Sequence, residues 1–321
     1  MKSRSLSITG ATGFVGWHVA EAFVQRGWRV RAVVRRGNRR PLPQGVEAVE
    51  SDLDVASLTR AFDGSDAVIH GAALIRAKDE AAFHLVNVVG GRAAADAAKR
   101  VDARFVLISS LAAGGEGTVE RPRHEDDPPA PVNAYGRSKL ASERAVQEVD
   151  GLRWTIIRPC AVYGPRDYGF LPLFRMARRG LFLVPSGRDI AYTLVYIGDL
   201  VDAIVRATEV DGAVGQTCFI GHQRPHTGDD LLRVMAQVEG RTFRPIRVPG
   251  PLFTAVARLG DVAWQLGIKP MVDSGRLVEL RAKGFVCRVD RAEQVLGFTA
   301  TMDLEAGVAA TARWYREHGW T

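Results

Sequence analysis

Hydrophobic and polar positions along the chain follow two alternating rhythms. Short β-branched and apolar runs recur at Ser5–Thr9, Arg29–Val34, Val46–Glu50, Ala67–His70, Arg104–Ser109 and Trp154–Arg158, and read as strands. Between them, apolar residues return at three- and four-residue spacing near Val15–Gln25, Glu80–Arg100 and Ala134–Val149, the period of a helix with one buried face. Strand and helix in alternation predict an α/β chain with a parallel sheet covered by helices. Gly114 to Asn133 breaks both rhythms with Pro122, Pro128, Pro129 and Pro131 and is expected to be a surface loop. Past Pro159 the pattern loosens. A helix is expected near Phe170–Arg179 and a short strand at Leu181–Val184. Thr193–Ile197 followed by Asp199–Thr208 reads as one more strand–helix unit returning to the main sheet.

Composition narrows the class. Of 321 residues, 46% are hydrophobic and 25% charged, which excludes a largely disordered chain. The formal charge of +7 permits an anionic partner without choosing one, and an arginine-rich solvated surface is its main explanation. Cys160, Cys218 and Cys287 are few and far apart, which argues against a disulfide framework or a zinc site and suits a reducing, cytoplasmic setting. The N-terminus enters a strand at once without the apolar core of a signal peptide. No run approaches the roughly 18–20 apolar residues of a membrane span.

The sharpest local signal is Gly10-Ala11-Thr12-Gly13-Phe14-Val15-Gly16, a GxxGxxG turn directly after the first strand and opening the first helix. Glycines there permit a tight turn and let backbone N–H groups approach a pyrophosphate, with the helix N-terminus contributing partial positive charge. This is the context that a Rossmann-type dinucleotide site requires. The second strand ends Val33-Val34-Arg35-Arg36 with no acid to take a ribose 2′-hydroxyl. Arg35, helped by Arg36 or Arg39, can instead hold a 2′-phosphate, so NADP(H) is favoured, with NAD(H) the alternative. Asp52-Leu53 follows the third strand, where the carboxylate either meets the adenine amino group or caps the next helix.

Tyr135-Gly136-Arg137-Ser138-Lys139 is a YxxxK element within a helical stretch. Positions i and i+4 share a helix face, and a nearby cation favours the phenolate, drawing the phenol down from about 10. Tyr135 then suits proton exchange with a carbonyl/alcohol pair. Ser109-Ser110 ends a strand upstream and offers a hydroxyl to the same oxygen.

Together these residues resemble the extended short-chain dehydrogenase/reductase family, the epimerase/dehydratase-like group, over essentially the whole chain. The likeness takes in Gly10, Gly13 and Gly16, the Asp52-Leu53 pair, Ile69-His70-Gly71-Ala72-Ala73, Asn87, Ser110, Tyr135 and Lys139. It continues through the loop Arg158-Pro159-Cys160-Ala161-Val162-Tyr163-Gly164-Pro165 to Val295–Phe298 and Trp314–Trp320. The resemblance implies that Tyr135 is the general acid/base, Lys139 holds the nicotinamide ribose, Ser110 orients the substrate oxygen, and Asn87 supports site geometry and a proton relay. It implies dinucleotide contacts at Gly10, Thr12, Gly13, Phe14, Val15, Gly16, Arg35, Arg36, Asp52, Leu53, Ala72, Ala73, Tyr135, Lys139, Pro159, Cys160 and Val162. The implied layout is a Rossmann-type doubly wound parallel sheet over residues 1–165 and about 191–220. A smaller C-terminal substrate-binding domain takes about 166–190 and 221–321. Homodimers are frequent in such families.

Family members divide between sugar-nucleotide epimerases or dehydratases, which retain NAD, and reductases or dehydrogenases of ketones, flavonoids and sterols. Here Ala161 stands where sugar-nucleotide enzymes often carry asparagine. Tyr192-Thr193 replace an arginine–aspartate pair, with Arg188-Asp189 lying four residues earlier. In the stretch 251–266, Leu252, Val256, Leu259, Ala263 and Leu266, with Phe253 and Val262 beside them, recur at helical spacing. They form a helix packed on its own domain, a cap over an apolar substrate, or a peripheral membrane contact. Phe170 and Phe174, with Leu171, are candidates to line the substrate pocket. The expected reaction is hydride transfer between NADP(H) and the ketone or secondary alcohol of a fairly apolar small molecule. The alternatives are a sugar-nucleotide epimerase/dehydratase with bound NAD and a non-catalytic cofactor-binding protein. The seven histidines show no ligand spacing, so no metal is expected. The arginine clusters lack the interleaved aromatics of a nucleic-acid groove, so no nucleic acid is expected either.

Overall fold

The computed structural model describes residues 3–187, 189–265 and 274–321. Six strands come first: β1 (Ser5–Thr9), β2 (Arg29–Val34), β3 (Val46–Glu50), β4 (Ala67–His70), β5 (Arg104–Ile108) and β6 (Trp154–Pro159). The next four are short: β7 (Ala161–Tyr163), β8 (Phe182–Pro185), β9 (Ala191–Tyr192) and β10 (Leu194–Tyr196). Then come β11 (Gln216–Ile220), β12 (His226–Thr227) and β13 (Pro245–Val248). The helices are α1 (Phe14–Gln25), α2 (Val55–Phe62), α3 (Glu80–Phe83), α4 (Gly90–Arg100), α5 (Leu111–Gly114), α6 (Ala134–Gln147) and α7 (Leu171–Arg179). After these follow α8 (Ile197–Glu209), α9 (Gly228–Val238), α10 (Gly250–Gln265), α11 (Ser274–Arg281), α12 (Asp290–Leu296) and α13 (Leu304–Glu317).

Seven strands form one parallel sheet in the order β11-β6-β5-β4-β1-β2-β3. Both faces are covered. On one, Leu6, Ile8, Val106 and Ile157 pack against Val19 and Phe23 of α1 and Leu200 and Ile204 of α8. On the other, Val68, Phe105, Leu107 and Ile156 meet Leu58 of α2, Ala94 and Ala98 of α4 and Val146 of α6. Burial on both faces explains why these strands are continuous apolar runs instead of alternating ones. Small side chains let α4 fit between α2 and α6, with Ala93, Ala94, Ala95, Ala97 and Ala98 all buried. A third apolar cluster joins Phe174 of α7, Phe182 of β8, Met235 of α9 and Val308 and Tyr315 of α13. No helix among the described residues is long and apolar enough to cross a membrane.

Three expectations are corrected. The run around 193–197 does not rejoin the main sheet, because β10 pairs with β7 in a two-stranded ribbon. The seventh place is taken by β11, hydrogen-bonded to β6. A short apolar run carries no address, and the Gln216-Thr217 start of β11 gave a weaker apolar signal than Leu194-Val195. The 114–133 loop is a surface segment only in part: Gly114, Gly115 and Gly117 are buried, and Gly117 and Arg123 bridge to Phe285 and Cys287. The long helix expected over Glu80–Arg100 is interrupted by a π-helical stretch, His84–Val89, carrying Asn87. Such insertions concentrate at functional sites.

Candidate functional site

All strands of the sheet being parallel, their carboxyl ends share one edge, and the predicted residues collect there. Gly10 follows β1 at φ +82, in the left-handed region that glycine adopts freely. A Cβ on Gly10 would lie 2.7 Å from the Gly71 carbonyl carbon, and one on Gly16 only 2.3 Å from the Gly10 oxygen, so this crossing admits glycine alone. Thr12 lies in the turn. Gly13 caps α1 with its backbone, and no side chain caps the helix. The first-turn N–H groups of Phe14, Val15 and Gly16 are thereby left pointing outward, with no acid in that turn. An uncapped helix end over a glycine-only cradle fits a dinucleotide pyrophosphate.

At the ends of β2 and β3, Arg36 Nε reaches Asp52 Oδ2 at 3.1 Å across exposed surface. Arg35 is exposed and makes no ion pair among the described residues. Asp52 does not cap the next helix. That role falls to Asp54, whose carboxylate accepts from Ser57 N at 2.9 Å. Leu53 packs against the α2–α4 cluster. Ala72 and Ala73 follow β4, and the Ala72 N–H donates to Thr9 Oγ1 at 3.2 Å.

The YxxxK residues lie on α6, whose N-cap Asn133 accepts from Gly136 N at 2.8 Å. The Ser110 side chain lies beside the Tyr135 phenol and favours its ionised form. Lys139, buried on the same face one turn later, donates to the Ile108 carbonyl at 2.7 Å. Burial pushes the Tyr135 phenol up to about 12, with Ser110 opposing and Glu279 adding to the rise. This corrects the expectation that the lysine draws the phenol down: in this arrangement the ammonium is spent on the β5 carbonyl. Burial brings Lys139 down to about 8, with Glu143 opposing. Asn87 is fully engaged, accepting from Leu74 N at 2.7 Å and donating to Leu74 O and to Ser138 Oγ. It ties the loop after β4 to α6 and bonds to neither Tyr135 nor Lys139.

Beneath this pair lies a cluster that the sequence reading passed over. Glu143, one turn beyond Lys139 and buried, takes Arg158 Nε on Oε1 at 3.0 Å and Nη2 on Oε2 at 2.7 Å, and also accepts from Ser109. Ser109 and Ser110 therefore face opposite ways, one inward to Glu143 and the other to Tyr135. The i, i+4, i+8 spacing of Tyr135, Lys139 and Glu143 was the available signal. His70 is buried, with Nδ1 2.9 Å from Thr9 Oγ1. That hydroxyl also accepts from Ala72 N. Burial first, and Lys139 second, hold the imidazole neutral, its pKa brought down to about 3.

On the far side, Pro159 ends β6, Val162 lies on β7 opposite Val195, and Cys160 Sγ sits 3.1 Å from Cys287 Sγ. Phe170 is half-buried against Tyr163. Phe174 is wholly buried, edge-on to Tyr315, which removes it from any pocket wall. Tyr192 stacks on Phe285 with centroids 6.2 Å apart. Arg188 and Leu266 lie outside the described residues.

A model of the NAD dependent epimerase/dehydratase family matches residues 6–221. The chain is 34% identical to a ceramide reductase of Caulobacter vibrioides, with 98% of this chain and 95% of that protein covered. It is 28% identical to sterol demethylase protein B of Methylococcus capsulatus, with 97% and 98% covered. Among solved structures, the Thermus thermophilus UDP-glucose 4-epimerase complex with NAD is similar with a TM-score of 0.77 at 23% identity, covering 97% of this chain and 99% of that one. At that identity the likeness is one of fold.

Proposed function

The chain belongs to the NAD dependent epimerase/dehydratase family, and from that membership we propose that it transfers hydride reversibly between NADP(H) and the ketone or secondary alcohol of a largely apolar molecule, of the sterol or ceramide kind. The carrying observation is that Ser110, just past the end of β5, lies beside the Tyr135 phenol, on the same sheet edge as the uncapped α1 terminus. When bound, the nicotinamide supplies or accepts the hydride. Phe14, Val15 and Gly16 would hold the pyrophosphate through backbone N–H groups, with Thr12 and Gly13 in the turn and Ala72, Ala73, Pro159, Cys160 and Val162 walling the ring. Lys139 would turn from Ile108 to the nicotinamide ribose. Ser110 orients the substrate oxygen, Tyr135 gives or takes its proton, and Asn87 holds the two sides of the site in register. Residues 166–190 and 221–321 would supply the substrate side.

Three features support an apolar substrate over a sugar nucleotide. Tyr192 and Phe285 stack where an arginine–aspartate pair would serve a diphosphate. Glu279 of α11 accepts from Asn133, two residues from Tyr135, at 2.9 Å, and a carboxylate there opposes an anionic substrate. Relatives of similar length are named for ceramide and sterol. The proposed assembly is a homodimer packed through α6, where a groove of about 520 Å³ is lined by Leu140 and Ala141 together with Arg137, Arg144 and Glu148.

The first test is to denature freshly purified protein and identify any nucleotide released. An empty site that then turns over long-chain ketones with NADPH is the expected result. Stoichiometric NAD with no ketone turnover would move the assignment to the sugar-nucleotide epimerase, and binding without any turnover to a non-catalytic role. The cofactor preference has its own check. Arg35→Ala is expected to weaken NADPH binding about tenfold to a hundredfold, the worth of one charge-assisted contact, and to leave NADH nearly unchanged. Equal affinities for the two cofactors, unaffected by the substitution, would refute it.

A further inference from the structure

On α10 the apolar stripe is turned outward. Ala257 and Gly260 face the protein, whereas Leu252, Val256, Leu259 and Val262 are 46–71% exposed. Their spacing of four, three and three places them on one face of a 16-residue helix. Ile246, just before it, and Val278 on α11 are exposed as well. A lone exposed leucine means nothing, but a continuous apolar face about three turns long marks a surface that something covers. Charge identifies the cover. Among the described residues of 241–265 and 274–283, seven Lys and Arg stand against two Asp and Glu, and with Arg247 paired to Asp229 a surplus of four positive charges remains. A second copy meeting this face with its own would oppose like charges, whereas an anionic surface is attracted.

We propose that the outward face of α10 docks the protein on an anionic lipid bilayer, with Leu252, Val256, Leu259 and Val262 entering the interface and the surrounding arginines meeting the headgroups. The inference rests on the proposed apolar substrate only for its purpose, since bilayer contact brings the site to a lipid that water does not carry. The helix is placed for that purpose. Arg281 of α11 donates to Thr254 of α10 at 2.7 Å, and Glu279 of α11 receives Asn133, the cap of the Tyr135 helix. One helix separates the docking face from the catalytic helix.

The test is flotation of the full chain with vesicles of phosphatidylglycerol and phosphatidylcholine in equal parts, against phosphatidylcholine alone. Binding to the anionic vesicles that weakens with added salt is expected. The paired change Leu259→Asp and Val262→Asp should cut the bound fraction about tenfold or more, by removing apolar insertion and adding repulsion. Both positions are exposed, so the circular dichroism spectrum and turnover of a water-soluble short-chain ketone should stay within about twofold of the parent. No binding by the parent chain to anionic vesicles, or equal binding by the variant, would overturn the proposal. A parent chain that ignores vesicles and loses oligomeric mass on substitution would assign the face to a second copy. Vesicle binding without ketone turnover would instead sink the reductase reading and leave the docking face standing.

Discussion

Tyr135→Phe is expected to lower the rate of carbonyl reduction by about 10²–10⁴-fold, the usual worth of a positioned proton donor, with cofactor binding within about twofold of the parent. The substitution deletes one oxygen from a half-buried ring and keeps the ring's contact with Phe83. Ser110 cannot take over, because it holds its proton far more tightly than a phenol and already serves the N-cap of α5, where its Oγ accepts from Ala112 N. The pH profile adds a second readout. With the phenol held up at about 12, the proton donor stays loaded throughout the neutral and mildly alkaline range. Lys139, brought down to about 8, titrates first. Carbonyl reduction should therefore fall as pH rises through about 8, where the ammonium loses its proton. Alcohol oxidation needs the phenol to have given its proton up, so it should stay slow around pH 8 and gain only as the pH climbs toward about 12. Loss of reduced-nicotinamide absorbance under single-turnover conditions measures the first arm, and fluorescence titration of the cofactor measures the second. Turnover within tenfold of the parent would remove Tyr135 from its role.

Legibility in the sequence followed the range of the interaction. The Rossmann-type half could be read because its signals are mostly local: Gly16 answers to a backbone crossing at Gly10, and Tyr135 and Lys139 to a single helical turn. What failed was long-range. Nothing in Leu194-Val195-Tyr196 says that it pairs with Ala161–Tyr163 beside the sheet, leaving the seventh place to Gln216–Ile220. Phe174 looks like a pocket residue by its position after the Arg158–Pro165 loop, yet Tyr315, from the last helix, covers it. The direction in which α10 turns its stripe was open for the same reason. An amphipathic period gives a face, and only packing says which way that face points. The site likewise divides into legible first contacts and a support beneath them, Glu143 and Arg158, that comes from two elements fifteen residues apart and emerges only when α6 is laid across β6.

That support carries the second large effect. Glu143→Gln leaves the Arg158 guanidinium buried beside a neutral amide, and breaking a buried pair from one side costs about 3–5 kcal/mol. A drop of that size in unfolding free energy by urea titration is the expected result. The double change Glu143→Leu with Arg158→Met should recover most of it, because neutral replacements remove the uncompensated charge along with its partner. A purely structural pair would end there. Glu143, however, also lies one turn from Lys139 and favours its charged form, so losing the carboxylate lowers the lysine further. The alkaline fall in carbonyl reduction should then begin below the parent's, at lower pH, in both the single and the double variant, even where the double variant has regained its stability. A double variant with restored stability and an unmoved alkaline limb would confine Glu143 to holding α6 against β6. A limb that moves with stability restored makes Glu143 the residue that keeps Lys139 charged, acting through the lysine without touching the substrate.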